Sequence, residues 1–131
     1  MTEIKSYRDL KVWRMAMDLA EAVYRLTRKM PRQEEYRLSA QLIRAAASVP
    51  ANVAEGFVRG TRKDYANFVS IARGSLAETE TFLLLAERLE LISQQETSGA
   101  TDLANQVGGM LTKLRLRLIN TQGETPQRLR H

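Results

Sequence analysis

The chain has no cysteine and one histidine, His131, at its last position. Neither a disulfide framework nor a thiolate metal site can be built from it. A histidine triad or histidine general base is not expected, nor is the Glu-x-x-His pair that di-iron bundles carry on two helices. Aromatic residues are scarce at 6%, and proline occurs at only three positions. No run approaches the roughly 20 consecutive apolar residues of a membrane-spanning helix. The opening residues, MTEIKSYRDLK, lack the apolar core of a secretory signal, so a cytoplasmic protein is expected. There is no Walker loop and no G-x-G-x-x-G turn; Gly56, Gly60 and Gly108-Gly109 do not approximate one. No enzyme, metal or cofactor is expected from this inventory.

What is present suits one helical domain. The 131 residues are 44% hydrophobic and 27% charged, enough for a single continuous core. The formal net charge of +5 favours anionic partners such as nucleic acid. Such a balance also occurs in proteins that bind none, so the position of the charges matters more than their sum.

Apolar residues recur at helical spacing almost throughout. Val12, Ala16, Leu19, Val23, Leu26 and Met30 form one seam, with Leu10, Trp13, Met17, Ala20 and Tyr24 beside it. Two adjacent seams predict a helix over Tyr7–Lys29 that touches at least two neighbours. Pro31 ends it. A second helix is predicted from about Gln33, with Glu34 and Glu35 in its first turn, to a stop at Gly60. Pro50 lies inside that pattern and predicts a kink near Ala46–Pro50, or two abutting helices. Thr61 with Asp64, and Ser93 with Glu96, have capping-box spacing and open a third and a fourth helix. The third carries Tyr65, Phe68, Ala72, Leu76, Thr79, Leu83, Ala86 and Leu89; the fourth carries Leu103, Val107, Met110, Leu111, Leu114 and Leu118. Periodicity stops after Asn120. The expected architecture is all-α: an antiparallel up-down-up-down four-helix bundle over residues 1–120, followed by a disordered tail over 121–131.

In such a bundle one pole collects Lys5, Arg8, Lys11, Arg14, Arg59, Arg62, Lys63, Lys113, Arg115 and Arg117. The acids there are Glu3, Asp9, Glu55 and Asp64, whereas the other half receives Glu34, Glu35, Glu78, Glu80, Glu87, Glu90, Glu96 and Asp102. A cluster of that kind binds phosphate backbones with a steep salt dependence. Alternatively it is a solvated surface in which Lys113, Arg115 and Arg117 complement a helix dipole. Trp13, Phe57, Tyr65 and Phe68 fall in apolar stripes and are expected in the core, so base-specific readout is not supported. On helix two a polar row, Arg37, Gln41, Arg44, Ser48, Asn52, Glu55 and Arg59, falls on one face. It is expected to meet another subunit or helix three through side-chain hydrogen bonds, or else to be solvated. Glu55 and Glu78 could in principle hold Mg²⁺ as a nuclease would, but pairing with arginine or solvent is the simpler reading.

The runs Tyr7-Arg8-Asp9-Leu10-Lys11-Val12-Trp13, Glu35-Tyr36-Arg37-Leu38, QLIRAAASVPANVAEGFVRGT and IARGSLAETET resemble the four-helix-bundle family encoded in intervening sequences of bacterial 23S ribosomal RNA genes. That family includes the accessory variability protein of diversity-generating retroelements. The likeness spans Ile4 to Leu118 and is densest from Gln41 to Gly56. Position 79, usually apolar in related sequences, is Thr79 here. The resemblance implies an up-down bundle assembled as a ring-like homopentamer. In the retroelement branch it implies binding to a reverse transcriptase and to nucleic acid, RNA or DNA, through a basic surface. A protein-only oligomeric scaffold is the alternative.

Overall fold

A computed structural model describes residues 3–120; the tail expected to be disordered, residues 121–131, lies outside them. Among the described residues there are four α-helices and no strand: α1 (Lys11–Thr27), α2 (Leu38–Arg59), α3 (Arg62–Arg88) and α4 (Gln94–Asn120). None is long and apolar enough to cross a membrane.

The helix ends follow from local chemistry. Thr61 Oγ1 accepts the Asp64 N–H at 3.1 Å and opens α3. Ser93 and Glu96 exchange both capping bonds, the Ser93 N–H donating to Glu96 Oε1 at 3.0 Å and the Glu96 N–H to Ser93 Oγ at 3.1 Å. Gly60 stops α2 with φ of 89°, the left-handed conformation that glycine takes without a Cβ penalty.

Two predicted starts are wrong. The first helix begins at Lys11 rather than Tyr7, because Ser6 and Asp9 form a capping box around a separate 3-10 turn, Tyr7–Asp9. Leu10 then stays extended while its side chain is buried. The second begins at Leu38 rather than near Gln33; Pro31 leads into another 3-10 turn, Arg32–Glu34, which leaves Glu34 and Glu35 ahead of the helix. Nor is α2 two abutting helices. It runs unbroken through Pro50, whose ring is buried on the core face beside Val49 and Val53.

Cross-helix contacts give the sense of each neighbour. Gly56 of α2 lies against Tyr65 and Phe68 of α3, while Ser48 bonds Ser75. Thr97 of α4 bonds Glu87 of α3, and Arg115 bonds Ser70. Lys29, just past α1, pairs with Glu96 at the start of α4. In the α2–α3 and α3–α4 pairs residue numbers rise on one helix as they fall on the other, so these neighbours run in opposite directions. The end of α1 meets the start of α4, and the two helices pack together, which sets them antiparallel as well. The α2–α3 pair is the most extensively packed.

One core runs the length of the bundle, with Leu19, Val23, Leu42, Val49, Val53, Val69, Val107, Leu111 and Leu118 all at 2% exposure or less. Thr79 is fully buried there, and its hydroxyl donates to the Ser75 carbonyl at 2.9 Å. The departure from an apolar residue therefore leaves no polar group unsatisfied.

Candidate nucleic-acid interface

The antiparallel connections put the start of α1, the end of α2, the start of α3 and the end of α4 at one end of the molecule. The ten predicted basic residues lie on those segments. Lys5, Arg8, Lys11, Arg14, Arg59, Lys63, Lys113 and Arg117 are exposed; Arg62 and Arg115 are half-buried. Lys63 and Arg115 are brought together, lining one surface hollow with Asp64, Ala66, Asn67 and Ser70. On α4, Arg115 faces α3, and helical spacing turns Lys113 and Arg117 to the opposite flank. Arg14 lies on the side of α1 opposite its buried residues, so it borders the end without joining that hollow.

Several of these cations are already positioned. Arg59 pairs with Glu55 at 2.9 Å, and its guanidinium lies 4.9 Å from the centroid of the Phe68 ring. Arg8 stands over the Tyr7 ring at 5.6 Å. Among the described residues, no carboxylate is in ion-pair contact with Lys5, Arg8, Lys11, Arg14, Lys63, Lys113 or Arg115. The Asp9 carboxylate is held below its usual pKa range, first by the backbone N–H of Lys5 and then by that of Ser6, with the positive charge of Arg14 adding to both. It stays charged, but it is committed to capping the turn.

The other end is not an acidic counterpart. Arg25, Arg28, Lys29, Arg32, Arg37 and Arg88 stand among its carboxylates, and Arg25–Glu21 and Lys29–Glu96 are paired. The contrast is between a basic end and a balanced one.

Of the four aromatics expected in the core, Phe57 and Tyr65 are buried and meet edge-on at 6.1 Å. Trp13 and Phe68 are only half-buried, because each lies on the flank of its helix, Trp13 against Tyr7 and Phe68 under Arg59.

The polar row on α2 divides. Ser48 Oγ bonds Ser75 Oγ of α3 at 2.9 Å, and Asn52 Nδ2 donates to Ser48 Oγ at 2.8 Å. These two are half-buried within the chain's own α2–α3 packing. Gln41 and Arg44 are exposed and border a small groove with Glu78 and Phe82. Arg37 and Glu55 are exposed, Glu55 on Arg59. Glu55 and Glu78 sit at different levels: with Ser48 opposite Ser75, Glu78 is level with Ala45, ten residues or roughly 15 Å along α2 from Glu55. They do not face a common point. Among the described residues, no group of three potential metal-ligating side chains comes together.

A further surface escaped the sequence reading. On the outer side of α2, Ala40, Ile43, Ala47, Ala51, Ala54 and Val58 recur at steps of three and four, facing away from the core. Val58 is 62% exposed. On the adjoining flank of α1, Met17 and Tyr24 are 44% and 48% exposed. Tyr24 and Ile43 line one hollow, so the two stripes meet. The heptad spacing was the available signal, but alanine reads equally well as a helix former.

No curated protein matches the chain. Among solved structures it is similar to a protein of unknown function from the S23 ribosomal protein family of Bacteroides thetaiotaomicron VPI-5482. That likeness has a TM-score of 0.74 at 25% identity, over 79% of this chain and 97% of the other. The family model described as 23S rRNA-intervening sequence protein matches residues 8–113. With the family model matching most of the chain and the fold shared with that solved structure, the protein belongs to the 23S rRNA-intervening sequence protein family.

Proposed function

We propose that the protein is a non-enzymatic, self-assembling bundle that binds nucleic acid by charge and shape at its basic end. The observation that carries the reading is the gathering of ten cations and four acids on the chain segments at that end, against a balanced opposite end. Phosphate backbones are attracted by such a field without base contacts. Self-association is supported by the apolar stripes of α1 and α2, which lie along the flank and reach the basic end only at Val58. A reverse transcriptase is the protein partner that the family resemblance implies for one branch, and co-purification with that enzyme tests it.

Reversing Arg59, Arg62 and Lys63 together to Glu is expected to abolish binding to a labelled RNA at low salt while helical circular dichroism stays unchanged. For the wild type, the logarithm of affinity should fall linearly with the logarithm of salt concentration. Undiminished binding by the triple variant overturns the reading. The apolar stripes alone favour the protein-only scaffold, which predicts a stable oligomer in light scattering and no salt-dependent affinity for RNA or DNA. Met17→Glu with Val58→Glu is expected to give monomers if that flank is the contact between copies.

A further inference from the structure

Lys63, in the first turn of α3, and Arg115, near the end of α4, border the same hollow from two helices. Arg115 is not a loose surface arginine. It is half-buried, and its Nε–H donates to Ser70 Oγ at 2.6 Å. A guanidinium carries five N–H donors in a planar fork, so fixing Nε leaves both terminal amino groups for another acceptor in a defined plane. Asn67 adds an amide to the same wall. Asp64 is the one acid there, so its negative charge offsets one of the two cations and leaves the hollow net positive.

We propose that this hollow seats one phosphate group of a polynucleotide backbone. The terminal amino groups of Arg115 bind two of its oxygens, Lys63 supplies a point charge and Asn67 a third donor. A backbone phosphodiester has two free oxygens, which the fork of Arg115 engages from α4 while Lys63 and Asn67 approach their remaining lone pairs from α3. The inference rests on the polyanion reading above and sharpens it from a diffuse field to one seat.

Ser70→Ala is the decisive variant, because it changes no charge and replaces a helical serine with a better helix former. It frees the Arg115 side chain, and the loss of pre-organisation should weaken binding to a fluorescein-labelled single-stranded RNA about two- to tenfold. Lys63→Gln should reduce the slope of log affinity against log salt by about one, and Asp64→Asn should raise affinity. Inorganic phosphate titrated into ¹⁵N-labelled protein should move the Arg115 Nε–H and Asn67 side-chain signals saturably. If Ser70→Ala binds RNA like the wild type and phosphate leaves those signals in place, the seat does not exist, while salt-dependent RNA binding by the wild type still upholds the polyanion reading. If the wild type shows no salt-dependent RNA binding, both fall together.

Discussion

Adding one methyl group at Gly56 tests how closely α2 and α3 approach. A Cβ there would lie 2.9 Å from Phe68 Cβ, 3.1 Å from Tyr65 Cδ1 and 3.2 Å from the Tyr65 carbonyl oxygen. Carbon atoms in contact rest at roughly 3.5–4.0 Å, so the helices must part by about half an ångström or more. Two of the three obstacles are a Cβ and a carbonyl oxygen of α3, which cannot swing aside as a side-chain tip does. Overpacking of this kind costs about 1–3 kcal/mol. Replacing a helical glycine by alanine returns at most about 1 kcal/mol. Gly109→Ala supplies the control, since nothing lies within 4 Å of its Cβ position and the whole propensity gain should appear as stability. The propensity terms cancel between the two variants, so their difference is the overpacking cost. For a domain of this size that places the two melting temperatures roughly 4–12 °C apart, Gly56→Ala lower. Thermal unfolding followed by circular dichroism reads this directly, at one protein concentration because any self-assembly would make Tm concentration-dependent. Gly108→Ala should fall between them, because its one close neighbour is Leu76 Cδ2 at 3.3 Å, the movable end of a side chain. A Gly56→Ala protein that melts at or above Gly109→Ala would refute the close approach.

Three further perturbations follow from the same packing. Ser48→Ala removes the cross-helix partner of the buried Ser75 hydroxyl and should cost about 1 kcal/mol. In denaturant unfolding, the Ser48→Ala, Ser75→Ala double variant should lose less than the sum of the singles. Thr79→Val keeps the shape and removes a hydroxyl bonded only to the carbonyl of its own helix, so unfolding free energies from urea titration should agree within about 0.5 kcal/mol. The Asp9 and Glu96 carboxylates are held below their ordinary pKa, Glu96 by the backbone N–H of Ser93, then by the Ser93 hydroxyl, with Lys29 nearby. A depressed folded pKa gives stability that is complete above the unfolded value and disappears as pH falls through the folded one. Asp9→Asn and Glu96→Gln should therefore melt below the wild type near neutral pH, and the gap should close in acid. A gap that persists below about pH 2 would remove the charge-based explanation.

The parts of the fold legible in the sequence are those set by local chemistry or by a repeat that only a core face explains. Val12, Ala16, Leu19, Val23 and Leu26 are all buried, as their spacing requires. Thr61, Ser93 and Gly60 mark helix ends because each satisfies orphan backbone groups in a way few other residues can. The starts of α1 and α2 were not legible. Leu10 keeps heptad register with the helix and is buried, yet its backbone is extended; periodicity counts side chains that face inward and is blind to the backbone that brings them there. The polar row misled for a related reason. Seven residues at steps of three and four share a face, but the turn of the α2–α3 contact takes Ser48 and Asn52 into the packing and leaves Arg37 and Arg44 in solvent. The basic end was readable because it depends only on helix direction. The Lys63–Arg115 hollow was not, since nothing in sequence relates Ser70 to Arg115.

The apolar flank and the basic end constrain each other. The flank runs along α1 and α2, parallel to the helices, while the cations crown one tip. The stripe reaches that tip only at Val58, beside Arg59, so a second copy docked on the flank leaves most of them open. What such docking does for a polyanion depends on the symmetry axis. If the axis lies parallel to the helices, every copy turns its basic tip to the same face of the assembly. An oligonucleotide long enough to cross that face then engages several tips, and its affinity climbs with length far more steeply than the number of registers on the strand provides. If copies pair about an axis perpendicular to the helices, the tips point apart and length adds only registers. A length series of single-stranded RNA therefore distinguishes the arrangements, with a Met17→Gln, Val58→Gln monomer as reference, because a carboxylate at position 58 would sit beside Arg59. A steep gain in the wild type that is absent from the monomer requires tips on a common face. Equal, shallow length dependence in both would mean that self-association contributes nothing to binding, and would separate the two halves of the proposed function.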